Sequence, residues 1–409
     1  MNQATVDFIK AHLNDDVRQL ALRGTKDPEV DLVWALDQIA GWQTARKKLP
    51  AWAAVAGVVY PPHLSMEQCS SEQTARYKVQ LAGQPATMVD LTGGFGVDFS
   101  FLAKDAQKAV YVERQAHLCD IARQNFRLLG LEQAEVVCAD SEEYLRQMEP
   151  VDLIYIDPAR RDSHGGRTYG MADCSPDVIS LCPLLLQKAR RVLLKLSPML
   201  DWRKAVSDLG SQYVSEVHIV SVGNECKDLL VLVEGGGGRL EGEYSVCCVN
   251  LLANGSAQVF SFHLPPSTFH LPPSTFNLPP STHYLYEPNA SIMKAGCFDA
   301  LARQYGVVPI AHDSHLFVSA EEVSQFPGRT FQIDAVTSLN KRELKTHLGG
   351  LTQANITVRN FPLSVAELRK RLKLSEGGST YIFATTLATG EKVLIICRKR
   401  AIPPQPPRA

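Results

Sequence analysis

The sequence predicts an α/β protein whose centre is a parallel, doubly wound sheet, with a helical lobe before it and small α+β domains after it. Three observations carry this expectation. First, Met88–Phe99 reads MVDLTGGFGVDF, a short apolar strand followed by a turn with glycine at 93, 94 and 96 and then an apolar helix start. Such a strand, glycine turn and helix N-terminus form a cradle of the nucleotide-binding type, and glycine lets the backbone turn tightly. Second, apolar runs alternate with helical stretches, and a carboxylate closes one run after another. Third, EVHIVSVG and DLLVLVEG form an antiparallel closing pair after five such runs.

In order along the chain, residues 1–75 read as helical. Phe8, Ile9, Leu13, Val17, Leu20 and Leu22 recur near helical spacing, and Leu32, Leu36 and Ile39 do so after Pro28. Trp34, Trp42 and Trp52 are expected to pack this lobe together. MEQCSSEQTARYK, Met66–Lys78, leads into the first strand with serines placed to cap a helix, which predicts a surface helix there. The acids follow. Asp90 ends the first strand, and Glu113 closes KAVYVE about 20 residues on, where an acid can accept ribose hydroxyls. Asp140 closes AEVVCAD, and Asp157, followed by Pro158, closes VDLIYID. RRVLLKLSP supplies a fifth strand.

This order resembles the class I S-adenosylmethionine-dependent methyltransferases over roughly residues 70–235. A dinucleotide fingerprint fits less well, because Phe99 stands where the third glycine of G-x-G-x-x-G belongs. The resemblance implies S-adenosyl-L-methionine as cofactor. It places Asp90, Thr92, Gly93, Gly94 and Gly96 at the methionine end, Glu113 at the ribose, Ala139 and Asp140 at the adenine, and Asp157 with Pro158 at the mouth where the acceptor enters. In this family a segment like EQCSSEQTARYK closes over the cofactor, which gives Tyr77 and Lys78 a second possible role.

After Asp157 the sequence reads DPARRDSHGGRTYG. Arg160, Arg161 and Arg167 set permanent cations beside the acceptor mouth, and guanidinium groups bind phosphate or carboxylate through two parallel hydrogen bonds. Arg160 and Arg161, with Asp157 and Pro158, are therefore the catalytic candidates, and Arg167 an RNA-binding one. Amino-methylating enzymes of this fold commonly carry Asp-Pro-Pro and then an aromatic; here Ala159 and Arg160 follow Asp157-Pro158, so that geometry for a base amine is absent.

A domain boundary is expected at Gly235–Gly238, which gives a methyltransferase domain over 76–238, a small α+β domain over 239–320 and a basic domain over 321–409. EYSVCCVNLL and QVFSFHL read as a hairpin over Asn254–Gly255. HLPPSTF, HLPPSTF and NLPPSTH then repeat from His263 to His283; paired prolines exclude helix and inner strand, so an extended loop is expected there. RTFQIDAV, ANITVRNF, TYIFATTL and EKVLIICRK read as strands. They enclose a helix capped by Asn340 and another opened by the capping box Ser364-Val-Ala-Glu367. NKRELK, NITVRN and GEKVLIICRK resemble the THUMP-like C-terminal domain attached to certain bacterial methyltransferases, with a ferredoxin-like arrangement. By analogy the resemblance implies an RNA substrate, rRNA or tRNA.

Charge points the same way. The chain of 409 residues has a net charge of −1, yet from Leu339 onward 13 Lys and Arg stand against 4 Glu, a balance of +9. Clustered cations are the footprint of phosphate binding, and Arg369, Lys370, Arg371 and Lys373 are the RNA-binding candidates there. Hydrophobic content of 45% and charged content of 21% are those of an ordinary globular protein, and no apolar run has the length of a membrane span. Ten cysteines without C-x-x-C spacing argue against zinc and against a disulfide framework, and favour a reducing cytoplasm. No metal is expected. The sequence thus predicts a cytoplasmic S-adenosylmethionine-dependent RNA methyltransferase. A non-catalytic RNA-binding or assembly protein that retains the cofactor pocket stays open beside it, as does a methyltransferase of a protein or small molecule.

Overall fold

The structure, a computed structural model, describes residues 2–160, 170–235, 243–264 and 282–400. The chain forms two compact units, Met1–Val217 with Asp228–Tyr244, and His218–Lys227 with Ser245–Ala409.

The first unit begins with helices Gln3–His12, Val17–Arg23, Leu32–Lys48, Pro50–Ala53, His63–Gln68 and Glu72–Ala82. Asn2, Asp16, Asp31 and Ser71 cap four of them by accepting a backbone amide two or three residues into the helix. Of the residues expected to line this lobe, Leu20 is buried, whereas Leu22 is 81% exposed. A seven-residue helix buries one narrow stripe, and Leu22 lies off it. Ala45, Leu49, Trp52, Tyr60 and Met66 form one core cluster with Phe95 and Val97, so the helices pack directly on the glycine turn and the helix after it. Trp52 meets Phe95 edge-on at 4.8 Å, and its indole N–H donates to the Ser100 hydroxyl at 3.2 Å.

The sheet of this unit comprises β1 (Thr87–Asp90), β2 (Lys108–Glu113), β3 (Ala134–Cys138) and β4 (Val151–Ile156). A two-residue ladder follows, β5 (Ala159–Arg160) with β6 (Cys174–Ser175), and then β7 (Ala189–Leu196), β8 (Val214–Val222) and β9 (Glu225–Glu234), whose connected ends, His218–Lys227, are counted with the second unit. The spatial order is β3-β2-β1-β4-β7-β9-β8. β3, β2, β1, β4 and β7 run parallel, and β9 pairs antiparallel with β7. The doubly wound sheet and its antiparallel closure are therefore as expected. β1 neighbours both β2 and β4, so the strand order reverses there and opens a crevice at the carboxyl ends of the strands. Tyr111, Val112, Ile154, Tyr155, Leu193 and Leu194 are at most 2% exposed, as a parallel sheet covered on both faces requires. β8 and β9 are joined by Gly223–Asn224, both with positive φ (56° and 69°), the backbone of a two-residue hairpin turn.

The second unit holds β10 (Tyr244–Leu251) and β11 (Ala257–Leu264), a hairpin over Asn254–Gly255. A seven-stranded sheet follows, of β12 (Tyr284–Pro288), β13 (Val308–Pro309), β14 (Phe317–Ser319), β15 (Gly328–Thr337), β16 (Asn355–Arg359), β17 (Thr380–Thr386) and β18 (Lys392–Lys399). Its order is β13-β14-β12-β15-β18-β17-β16. Alternation along the strands divides the side chains between two cores. Phe331, Phe383, Val393 and Ile395 join Leu285, Leu316 and Val318 in one. Ile356, Ile382, Ala384 and Leu394 form the other, together with Leu368, Leu344 and Leu348. Helices Lys341–Leu348 and Val365–Leu372 thus share one core on one face of the sheet. Asn340 caps the first, and Ser364 with Glu367 forms the expected capping box on the second. Apart from its two ends, the proline-rich repeat lies outside the described residues, as do Arg161 and Arg167.

Candidate active site

The three glycines of the turn serve three different needs. A Cβ at Gly93 would fall 2.1 Å from the Tyr111 ring, and one at Gly96 would fall 2.7 Å from Phe126, with φ +83° besides. At Gly94 φ is +56°, but no atom lies closer than 3.7 Å to a Cβ built there. Two of the glycines therefore let the turn fold onto Tyr111, Phe126 and Phe99, an aromatic cluster with ring separations of 4.8–5.6 Å. Only at Gly94 would a Cβ meet no clash, its nearest neighbour being the Thr92 carbonyl oxygen at 3.7 Å.

Four amides of the turn are already engaged. Thr92 N–H donates to Asp90 at 2.9 Å, Gly93 N–H to the Val112 carbonyl at 2.9 Å, Gly94 N–H to Glu113 Oε2 at 3.0 Å and Gly96 N–H to the Gly93 carbonyl at 2.8 Å. The Tyr111 hydroxyl donates to the Gly94 carbonyl. A phosphate bound on this turn would have to displace those bonds, so the turn is not the phosphate cradle that a glycine-rich loop commonly forms.

Carboxylates surround it instead. Asp90, 1% exposed, ends β1; burial, together with Asp98, Asp157 and Glu113, raises its carboxyl well above the ordinary range. Glu113, 8% exposed, ends β2 and takes the Gly94 and Gln115 amides on separate oxygens, so it fixes the turn and the start of the next helix together. β3 stops at Cys138, two residues before the expected acid. Asp140 instead caps helix Ser141–Gln147, accepting the amides of Glu142 (2.9 Å) and Glu143 (3.2 Å), while the Ala139 N–H donates to the Glu113 carbonyl at 3.1 Å. Asp157 follows β4; its N–H donates to the Thr92 hydroxyl at 2.6 Å and its Oδ2 accepts from Lys195 Nζ at 2.5 Å. Pro158 is buried. Ala159 and Arg160 are held extended by pairing with Ser175 and Cys174. The strand ends thus bring Asp90, Thr92, Gly93, Gly94, Gly96, Glu113 and Asp157 to one edge.

A second set of residues stands behind them. The surface helix expected over Met66–Lys78 is wrong for Lys78, whose side chain is fully buried. Helix Glu72–Ala82 packs on the helix at Val97–Leu102, and from it Lys78 reaches Asp98 on that helix and Asp228 on β9. Lys78 Nζ lies 2.9 Å from Asp98 Oδ1 and 3.0 Å from Asp228 Oδ2, and it donates to the Ser70 hydroxyl at 2.8 Å. Ser70 and Tyr155 hydroxyls both donate to Asp98 Oδ2 at 2.7 Å. Burial alone would raise Asp98, but Lys78, Lys195 and these two hydroxyls outweigh it and hold its carboxyl below the usual range. Burial likewise opposes the charge on Lys195, but Asp157, Asp228 and Asp98 overcome it and raise its ammonium. Lys195, inside the apolar run LLKL, carried a legible signal, since a lysine in a buried parallel strand needs a partner. Asp98 and Asp228 carried little, because an acid near an element's start reads as a cap.

Five carboxylates, Asp90, Asp98, Glu113, Asp157 and Asp228, face two lysines, so even with Asp90 neutral the acids outnumber the cations at this edge. That environment fits a ligand bearing cationic and hydroxyl groups and disfavours a pyrophosphate. Among the described residues no group of three or more His, Cys, Asp and Glu is placed to hold a metal, and no helix is long and apolar enough to cross a membrane.

Residues 74–164 match the family described as conserved hypothetical protein 95, residues 284–327 a ferredoxin-like domain and residues 328–399 a THUMP domain-like family. No curated protein matches the chain. A crystal structure of a candidate methyltransferase from Porphyromonas gingivalis W83 is 34% identical, covers 97% of this chain and 98% of its own, and superposes with a TM-score of 0.86. An rRNA methylase from Streptococcus thermophilus (16% identity, 40% of this chain, 96% of that one, TM-score 0.31) is also similar. So is a candidate methyltransferase from Streptococcus mutans in complex with SAH (16%, 40%, 96%, TM-score 0.30). With a relative at 34% identity that covers nearly the whole of both chains, the chain belongs to the family of that candidate methyltransferase and carries a C-terminal THUMP-like domain.

Proposed function

We propose that this protein methylates RNA, with residues 76–238 supplying the cofactor site and residues 321–409 holding the RNA. The observation that carries the RNA part is the pair of helices on one face of the second sheet. Lys341, Arg342, Lys345, Lys370, Arg371 and Lys373 are exposed on them and make no ion pair among the described residues, while their leucines anchor both helices in one core. Arg369 differs, because its guanidinium is engaged by Glu376 at 3.0 Å. Unpaired cations on a rigid base bind a polyanion through counterion release and need no reorganisation.

In the cofactor site, Asp90 and the turn Thr92–Gly96 would receive the methionine end, Glu113 the ribose, and Ala139 with Asp140 the adenine. The bound cofactor supplies an activated methyl group on a cationic sulfur. Lys195 holds Asp157 at the mouth, where it orients the acceptor or the cofactor's amino group, and Pro158 with Ala159–Arg160 fixes the backbone beyond it. Arg160, Arg161 and Arg167 would engage the acceptor's phosphates. Positioning the acceptor lone pair in line with the methyl supplies much of the rate. All ten cysteines are free, including Cys248 and Cys297, whose sulfurs lie 4.0 Å apart in the core, which suits a reducing cytoplasm.

The test is transfer of labelled methyl groups to RNA from cells lacking the protein, followed by nucleoside mass spectrometry. One modified nucleoside should appear with wild type and not with Asp157→Ala. Label that enters protein or small-molecule fractions only would overturn the RNA assignment and leave the methyltransferase one standing.

A further inference from the structure

One face of the first unit's sheet carries polar groups where a covered parallel sheet is otherwise apolar. Tyr155 on β4 lies in register with Leu193 on β7, and Lys195 on β7 with Leu230 on β9. Side chains two residues apart share a face, so Tyr155, Lys195 and Asp228 stand on one side of the sheet. Asp157 joins them, its Oδ2 2.5 Å from Lys195 Nζ. Two helices close that side. The Tyr155 hydroxyl donates to Asp98 at 2.7 Å, and Lys78 lies 2.9 Å from Asp98 and 3.0 Å from Asp228.

Only the outer pair of this layer reaches solvent. The Lys78 side chain is fully buried and those of Asp98 and Asp228 are 9% and 6% exposed, against 13% for Lys195 and 38% for Asp157. Two sealed carboxylates for one sealed ammonium leave a negative charge behind Lys195, which with Asp157 keeps its ammonium charged. Lys195 occupies Asp157 Oδ2, and among the described residues no hydrogen bond is made to Oδ1. The mouth thus presents a fixed cation beside a carboxylate oxygen, and that arrangement discriminates between acceptor atoms. Methylation of a nitrogen lone pair builds positive charge on the nitrogen, which a fixed cation opposes. A hydroxyl must lose its proton and carries negative charge as it does so; a carboxylate can take the proton, and a neighbouring ammonium stabilises the oxygen. Ala159 and Arg160, held extended beyond Pro158, offer no aromatic face for a base to stack on.

We propose that the acceptor is the ribose 2′-hydroxyl of RNA, with Asp157 as its base and Lys195 as the cation on the reacting oxygen. This rests on the RNA reading and narrows it to one atom, since an internal nucleotide of RNA has no other free hydroxyl. The 2′ oxygen gives its proton to Asp157 Oδ1 and forms a bond to the methyl carbon. The carbon–sulfur bond breaks, its electron pair neutralises the sulfonium, and Asp157 then releases the proton to water. The alternative is an ion pair with a packing role only.

The position of the label decides between them. Labelled methyl groups are transferred by the full chain to RNA from cells lacking the protein, and the product nucleosides are split into base and sugar before mass spectrometry. Label on the sugar is expected, with loss of alkaline cleavage at that position, because alkaline cleavage proceeds through a free 2′ oxygen. Label on the base would overturn the hydroxyl assignment and leave an RNA methyltransferase; no label in RNA would overturn both. Lys195→Met should lower kcat by about 100-fold or more, with S-adenosylmethionine affinity in calorimetry kept, and Lys195→Arg, which retains the charge, should recover part of the loss. Full turnover by folded Lys195→Met, or a loss of cofactor affinity that matches the loss of kcat, would overturn the role of Lys195. The label position is read on wild type, so it decides the acceptor even if Lys195→Met does not fold.

Discussion

Replacing Lys78 by methionine tests whether the fully buried ammonium holds the site together. Methionine keeps the length of the stem, so the loss is one of charge and not of volume. Lys78 sits within 3.0 Å of Asp98, Asp228 and Ser70, and the side chains of the two acids are only 9% and 6% exposed. Removing one member of a buried pair strands the other, at a cost of about 3–5 kcal/mol. For a unit of this size 1 kcal/mol moves the melting temperature by roughly 2–4 °C, so Lys78→Met should lower it by about 6–20 °C. The relevant transition is the one that added S-adenosylmethionine raises, because a ligand of the folded state stabilises it. Asp98 gives the pH dependence. Its folded value lies below the unfolded one, so its stabilisation is present above about pH 4 and lost as pH falls through the lowered value. The variant lacks that stabilisation, and the gap from wild type should close in acid. Asp98→Asn in the same chain should recover part of the loss, since it removes a stranded charge. A drop under about 2 °C, or costs of the two single changes that simply add, would show that Lys78 is not the counterion of Asp98.

Three further outcomes follow from the same geometry. Glu113→Ala removes a charged acceptor and the tie to Gly94, and should weaken S-adenosylmethionine in calorimetry by about 1.5–3 kcal/mol; unchanged affinity would take Glu113 out of the cofactor site. Gly93→Ala drives a methyl group into the Tyr111 ring and should cost about 1–3 kcal/mol in urea unfolding as well as cofactor affinity, whereas Gly94→Ala should alter affinity with less effect on packing. Neutralising Lys370, Arg371 and Lys373 together should flatten the log–log salt dependence of RNA binding by roughly 2–3, at ~0.7–0.9 for each phosphate left unneutralised, with cofactor binding intact. A slope that does not move would leave those cations as a solvated face.

The acids at the strand ends were legible because a parallel strand buried on both faces is an uninterrupted apolar run. The first carboxylate after such a run must lie where the strand leaves the core, and Asp90, Glu113 and Asp157 do. Caps were legible for a local reason: Asn340 and Ser364 bond to amides a few residues away, so the chain carries the whole interaction in a short stretch. Lys78 was not. Its partners lie 8, 20 and 150 residues along the chain, and only the fold brings Ser70, Asp98 and Asp228 to one ammonium. The glycine turn was legible in position, but not the reason each glycine is needed, because the rings of Tyr111 and Phe126 that demand Gly93 and Gly96 come from another strand and another helix. The basic C-terminal stretch shows the same division. Its charge is a property of composition, but which cations remain unpaired depends on whether Glu376 reaches Arg369 or Glu287 reaches Arg359, and that is decided by register and packing. Sequence determines what is local in the chain or enforced by burial of a continuous run; tertiary structure decides which distant charges meet, since Coulomb and hydrogen-bond energies depend on separations that a linear sequence does not contain.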